Sequence, residues 1–156
     1  MPAPTPGYVK NIIRRSLREI VDPGPIKEDE ERIWKFFENK CAYCGKPLRK
    51  LQKEGHIDHL VPASLGGPNH ISYRVLSCAN CNEAEKLDAP WQEFITRKNQ
   101  DPEVARTRVD KIREWQKLNG GLVLDKKKLR EIAGLSKSVV AYYDAKVKEA
   151  RRLRYS

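Results

Sequence analysis

Two cysteine pairs, Cys41-Ala-Tyr-Cys44 and Cys78-Ala-Asn-Cys81, enclose the stretch Gly55-His-Ile-Asp-His-Leu-Val61, and these segments decide the fold of the chain. The pairs contain all four cysteines of the 156 residues. In an intracellular protein this spacing predicts a tetrahedral zinc site with four thiolate ligands rather than disulfides. Because the cysteines leave no coordination position open, we expect that zinc to be structural.

A redox function is the main alternative for a C-x-x-C pair. Such a pair normally lies in a βαβ context, which this sequence lacks, and it needs no second copy. The pattern therefore favours zinc. Gly45 follows the first pair, where the chain must turn tightly beneath the metal.

The segment between the cysteine pairs predicts two short strands. Residues 55–61 alternate polar and apolar side chains, as a half-buried strand does. The following loop contains Gly66-Gly67-Pro68, and residues 73–77 predict the returning strand. With a short helix expected after Cys81, this region is predicted to be strand, loop, strand and helix.

The rest of the chain has helical patterns. Helices are predicted over residues 8–21 and 27–39, and a third begins after the N-cap Asp101 and ends at Asn119. Two more are predicted at 125–133 and 137–153, joined at Gly134-Leu-Ser136. The expected organisation is a disordered tail at 1–7, N-terminal helices at 8–39, a zinc-bearing core at 40–100 and a basic helical region at 101–156.

The net charge of +10 indicates a polyanionic partner, and DNA is the expected one. Residues 126–156 hold ten Lys and Arg against three Asp and Glu. This region is either a helix-turn-helix or an ordinary helical hairpin with a solvated basic face. The predicted phosphate contacts are Lys126, Lys127, Lys128, Lys146, Lys148, Arg151, Arg152 and Arg154.

No stretch approaches the roughly 18 apolar residues that a membrane helix needs. The first seven residues contain no apolar signal region, so we expect a cytoplasmic protein of a bacterial or phage-type context.

The region between and just after the cysteine pairs also contains Asp58-His59-x-x-Pro62, Gly66-Gly67 and, directly after Cys81, Asn82. Joined with the pairs, this pattern resembles the zinc-bearing branch of the HNH, or ββα-metal, endonuclease family over about residues 33–86. The resemblance implies an α+β fold, with a small ββα-metal core held by the four-cysteine zinc site and flanked by N- and C-terminal helices. It also implies a metal-dependent DNA endonuclease.

The same residues suit phosphodiester hydrolysis on physical grounds. A divalent ion held by few oxygen ligands keeps positions free for the phosphate, and Asp58 and Asn82 can supply those oxygens. His59 points to the other side of the strand and can take a proton from water near neutral pH. The resemblance implies the same roles, with Asp58 and Asn82 binding Mg²⁺ or another ion such as Mn²⁺ and His59 as the general base.

The sequence departs from the family pattern at two positions. Tyr73 stands where the family has an asparagine that braces the loop of the catalytic histidine, so we expect Asn69 or His70 to brace it instead. Glu85 stands where lysine is common, in similarity to phage endonuclease VII. Glu85 is either a metal-site residue on the helix face of Asn82 or a solvent-facing glutamate.

Other functions remain open at this point. A non-catalytic zinc-finger DNA-binding protein has the same scaffold but no need for Asp58, His59 and Asn82 together. A degenerate domain that has lost activity is consistent with Tyr73. A cutter of palindromes or junctions would need a homodimer, which the flanking amphipathic helices could provide.

Overall fold

The computed structural model describes residues 4–120 and 125–154. The described residues form five α-helices, a short π-helix and one two-stranded sheet, which is an α+β fold. They divide into two compact units, one within residues 24–123 and the other within residues 1–23 and 124–156. Among the described residues, no helix combines the length and apolarity needed to cross a bilayer.

The sheet of the first unit is an antiparallel hairpin of β1 (Gly55–His59) and β2 (Arg74–Cys78). Both predicted strands are confirmed, with slightly different bounds. In the register, His59 lies opposite Arg74 and Asp58 lies opposite Val75. Residues directly opposite in such a pair share one face of the sheet. His59 and Arg74 therefore share one face, while Asp58 lies on the other.

Two helices follow β2. The first is a π-helix, Asn80–Lys86, which begins just before the predicted position and has i→i+5 bonding. The second, α3 (Trp91–Lys98), was not predicted from the sequence. Its buried residues Trp91, Phe94 and Ile95 have helical spacing, so the signal was present. The helix was missed because it has only eight residues, which is too short for a clear periodic pattern.

Helices α2 (Lys27–Phe36) and α4 (Pro102–Leu118) complete the first unit. Helix α2 ends earlier than predicted because Glu38 and Asn39 both have φ of 54°, in the left-handed region. Helix α4 begins as predicted, with the Asp101 side chain accepting a hydrogen bond from the Glu103 N–H at 2.8 Å.

The core of this unit lies between the sheet and helices α2, α3 and α4. The ring of Trp115 on α4 packs against those of Phe36 and Phe37, with centroids 4.8 and 5.8 Å away. Its indole N–H donates to the carbonyl oxygens of Ile71 (3.1 Å) and Arg74 (2.9 Å). Helix α4 thereby fixes the segment that enters β2.

The second unit is a pair of helices, α1 (Pro6–Val21) and α5 (Lys126–Arg152), which pack against each other. The ammonium of Lys10 pairs with the Asp144 carboxylate at 3.0 Å. Helix α1 confirms the predicted N-terminal helix and begins with the side chain of Thr5 accepting a hydrogen bond from the Tyr8 N–H.

The predicted break at Gly134, and with it the helix-turn-helix, is wrong because α5 is one continuous helix. The hydroxyl of Ser136 donates to the Ile132 carbonyl and that of Ser138 donates to the Gly134 carbonyl, so both are satisfied inside the helix. One glycine in a helix interior costs only about 1 kcal/mol relative to alanine. The inward-facing residues continue on both sides of it, as Ile132 and Val140 show.

The predicted boundaries at 39 and 100 differ from the observed units. Helices α2 and α4 belong to the unit that contains the sheet, whereas α1 and α5 form the other unit from opposite ends of the chain. A sequence reveals which face of a helix is apolar, but it does not name the partner of that face.

Candidate functional site

The four cysteines meet in one cluster in which all the ligand sulfurs lie within 4.8 Å of one another. A tetrahedron with Zn–S bonds of about 2.3 Å places its sulfurs about 3.8 Å apart. The Cys44 and Cys78 sulfurs are 3.9 Å apart, which matches. The cluster therefore fits a zinc ion, and its closed set of four ligands is that of a structural site.

The surroundings of the cluster also suit a cation. Cys41, Cys78 and Cys81 are buried and Cys44 is half-buried. The hydrogen bond with the Cys41 sulfur, followed by that with Cys44, raises the pKa of Cys81 well above its ordinary value. Four thiolates cannot share this space without a positive ion, which a bound zinc supplies.

Backbone geometry shapes the first cysteine pair as predicted. Gly45 has φ of +76°, a conformation that glycine adopts without steric strain. Its N–H donates to the Cys41 carbonyl at 2.8 Å, and the Cys41 N–H donates to the Lys46 carbonyl at 2.9 Å. These two bonds close a tight turn that contains Cys41 and Cys44 and directs both sulfurs to the cluster.

Asp58 lies in a buried ionic contact. Its Oδ2 accepts a hydrogen bond from the Tyr43 hydroxyl at 2.7 Å and lies 3.2 Å from the Lys86 ammonium. The Lys86 side chain is only 3% exposed, and its ammonium also donates to the His59 carbonyl at 2.8 Å. Burial, and then the Asp58 charge, raise the pKa of Tyr43, which therefore stays neutral and donates.

On the other face of the strand, the imidazole of His59 contacts the side chains of Asn69 and Arg74. Its Nε2 lies 2.9 Å from Asn69 Oδ1, and its Nδ1 lies 2.8 Å from a terminal nitrogen of Arg74. Of the two residues proposed from the sequence to brace this histidine, Asn69 makes the contact. His70 instead accepts from the Ser72 N–H and caps the turn before β2.

The loop after His59 has two positions that favour glycine, and Gly66 is one of them because its φ is +82°. A Cβ on Gly67 would lie 1.7 Å from the carbonyl oxygen of Val61, closer than any real contact. The glycine lets the loop fold back on itself. Asn69 follows two residues later, at a position from which it reaches the imidazole.

The π-helix decides which side chains of its turn approach the strand. More residues fill each turn than in an α-helix, so the α-helical spacing by which Glu85 was placed on the face of Asn82 does not apply here. The Glu85 carboxylate instead contacts the Lys98 ammonium at 2.6 Å and the Asn80 amide at 2.7 Å, and the Lys98 bond lowers its pKa. The residue of the π-helix that contacts Asp58 is Lys86.

The donors needed for a divalent ion are partly in place. The described contacts of Asp58 both use Oδ2, which leaves Oδ1 for a metal. Asn82 is half-buried, and its carboxamide has no hydrogen-bond partner among the described residues. One carboxylate and one amide oxygen suit Mg²⁺ or Mn²⁺, although the Lys86 ammonium opposes a second cation by charge.

The predicted DNA contacts lie on α5 or, in the case of Arg154, just after it, in the other unit. The described basic residues among them are exposed, and they form two groups near opposite ends of the helix. Lys127 and Arg151 are about 36 Å apart along the helix axis, from its rise per residue. Sequence analysis missed the basic residues of α1, among which Arg14 and Arg15 are exposed.

Three side chains of the site itself were also missed, namely Tyr43, Arg74 and Lys86. Arg74 could have been found from the sequence once the hairpin register was fixed, because it pairs with His59. Lys86 could not, since its placement depends on the π-helix.

Comparison with known proteins agrees with this geometry. Residues 41–94 match the family model described as HNH endonuclease. The match contains both cysteine pairs, β1, β2, the π-helix and the start of α3. No curated protein matches the chain at a significant level. This segment is therefore similar to HNH endonuclease domains.

Proposed function

We propose that the chain is a metal-dependent DNA endonuclease in which the HNH endonuclease domain hydrolyses phosphodiester bonds with His59 as the general base. The observation that carries this proposal is the placement of His59 and Asp58 on opposite faces of a strand that lies between the two zinc-binding cysteine pairs. One face offers a fixed imidazole, and the other offers a carboxylate for a metal.

The roles of the side chains follow from the contacts. Nδ1 of His59 takes a proton from a water molecule while the water oxygen forms a bond to phosphorus. The bond from phosphorus to the leaving sugar oxygen breaks, and solvent supplies a proton to that oxygen. Asp58 Oδ1 and the Asn82 amide oxygen would hold a Mg²⁺ or Mn²⁺ ion, which supplies positive charge beside the phosphate when bound.

The structural zinc gives this arrangement its rigidity. Cys44 lies before β1 and Cys78 ends β2, so one ion fastens the segments on both sides of the catalytic strand. Cys81 lies inside the π-helix, which places Asn82 relative to the same ion. Catalytic groups need to be held within fractions of an ångström, and a metal cross-link is an economical way to do this in a small domain.

DNA affinity is proposed to come largely from the α1–α5 pair. Residues 1–23 and 124–156 contain fourteen Lys and Arg against six Asp and Glu, a surplus of eight out of the net charge of ten. Lys and Arg side chains bind the phosphates of DNA, and such contacts provide affinity without reading the base sequence.

The test is cleavage of supercoiled plasmid by the wild type and His59→Ala with Mg²⁺, with Mn²⁺ and with no added divalent ion. Omitting the ion is preferable to a chelator, which would also attack the zinc. We expect metal-dependent nicking or linearisation that falls at least about 100-fold in His59→Ala. His56→Ala, on the same strand, is the matched control and should cleave.

Zinc content and thermal melting of each variant separate loss of chemistry from loss of fold. A folded, zinc-loaded wild type that shifts DNA on a gel but leaves every plasmid intact would favour the non-catalytic zinc-finger alternative. The ratio of nicked to linear product also bears on whether two copies act together, as a homodimer would.

A further inference from the structure

Arg74 makes a set of contacts that the proposed chemistry does not yet use. One terminal nitrogen of its guanidinium lies 2.8 Å from His59 Nδ1, and the other donates to Asn69 Oδ1 at 2.8 Å. Its Nε donates to the Asn69 carbonyl oxygen at 3.1 Å. The guanidinium thus joins the imidazole to the loop residue that braces it.

These contacts assign the tautomer of His59. A guanidinium has only donors, so Nδ1 must accept and carries no proton. The ring proton is then on Nε2 and is donated to Asn69 Oδ1, which can only accept. The nitrogen able to take a proton from water is therefore the one that Arg74 covers.

The backbone of Arg74 is held by two contacts. Its carbonyl oxygen accepts from the Trp115 indole at 2.9 Å, and the sheet register holds it opposite His59. The side chain is only half-buried, so its guanidinium is reachable from solvent. The bonds of Nε and of one terminal nitrogen to Asn69 can persist when the bond to His59 is exchanged.

We propose that Arg74 binds the substrate phosphate and that this exchange of partners uncovers Nδ1 of His59. The proposal rests on the function proposed above and adds to it a phosphate-binding residue and a substrate-dependent step. In the free protein the guanidinium covers the base, and in the complex one of its nitrogens turns to a non-bridging phosphate oxygen.

The exchange follows from the chemistry of the groups. A guanidinium bonds more strongly to an anionic phosphate oxygen than to a neutral imidazole nitrogen, because the bond is then between opposite charges. Arg74 already touches Nδ1, so a phosphate that it binds arrives beside the nitrogen that needs a water molecule. In the protein without substrate, a water molecule cannot bond to Nδ1 because Arg74 already does.

The experiment follows the ring nitrogens of His59 by ¹⁵N NMR while a phosphorothioate DNA duplex is added without a divalent ion. The chain has only three histidines, and His59→Ala assigns the resonance. We expect the duplex to move the Nδ1 resonance toward its position in free Arg74→Ala. Anisotropy on the same duplex should show affinity at least about ten-fold weaker in Arg74→Ala than in Arg106→Ala.

Arg106 is exposed on α4 and is the control for loss of one positive charge. Arg74→Lys retains the charge but not the two-nitrogen fork, so it should recover part of the affinity and raise KM more than it lowers kcat. Zinc content and melting temperature, expected to be unchanged, exclude a folding defect.

The outcomes separate this proposal from the endonuclease proposal. A wild type that cleaves plasmid but whose Nδ1 resonance stays still at saturating duplex overturns the role of Arg74 alone, as does an Arg74→Ala variant with wild-type affinity. A resonance that moves in a protein without cleavage supports Arg74 as the phosphate ligand and overturns the nuclease. Absence of any duplex binding overturns both.

Discussion

The two units of this chain differ in both what they bury and what charge they carry. The unit within residues 24–123 buries all three tryptophans and the cysteine cluster, and its charges almost balance, with seventeen basic and fifteen acidic side chains. Among the described residues of the α1–α5 pair, only Asp22, Ser136 and Val140 are buried, and this pair has the surplus of eight positive charges.

Under the proposed function, this difference separates the chemistry of cleavage from most of the affinity for DNA. A general base and a metal site need fixed positions, which come from close packing and a structural metal. Phosphate contacts need charge and exposure, and these destabilise a compact core by repulsion. In the proposed function, the exposed charges of the α1–α5 pair provide most of the phosphate contacts without crowding the packed core, and Arg74 adds one contact inside the site.

The largest expected effect comes from removing a zinc ligand. Cys44→Ser should lose zinc and the cooperative melting of the first unit, because a structural zinc contributes on the order of 10 kcal/mol to folding. Metal analysis and a thermal melt followed by circular dichroism measure both. Cys44→His retains a zinc ligand at this half-buried position and should restore much of the stability. A cooperative melt of zinc-free Cys44→Ser would show that the metal is dispensable.

A smaller effect is expected from removing charge at one end of α5. Arg151, Arg152 and Arg154, all replaced by glutamine, should weaken DNA binding and reduce the slope of log Kd against log salt by up to about 3. The matched control is the removal of Arg106, Arg113 and Lys117 on the exposed side of α4, with little expected change of slope. Equal slopes in the two triple variants would mean that the charge surplus of the second unit does not provide the DNA contacts.

The smallest effect, a change in the free energy of unfolding, is expected when one glycine of each unit is replaced by alanine. Gly134→Ala should stabilise α5 by about 1 kcal/mol, because a Cβ there meets no atom within 4 Å and alanine favours a helix. Gly67→Ala should destabilise the first unit, since its Cβ would collide with the Val61 carbonyl. Urea unfolding followed by circular dichroism compares the two. Destabilisation by Gly134→Ala would indicate a turn at this position, as the helix-turn-helix hypothesis requires.

The sequence predicted which residues and strands form the site better than it predicted which side chains those residues contact. The zinc cluster and both strands follow from cysteine spacing and from alternation along residues 55–61, which are local signals. Asp58 Oδ2 contacts Tyr43 and Lys86, and neither contact could be foreseen, because each joins segments whose approach depends on packing. The homodimer remains a prediction.

The sequence by itself determined the four-cysteine cluster, the adjacent Asp58 and His59, and the amphipathic helices, because each depends on residue types at short, fixed spacing. Tertiary structure alone decided that Arg74 covers His59, that a π-helix brings Lys86 rather than Glu85 to Asp58, and that α1 joins α5. The physical reason is the same in each case. Spacing fixes which way a side chain points from its own element, whereas the group that it meets depends on how distant segments pack together.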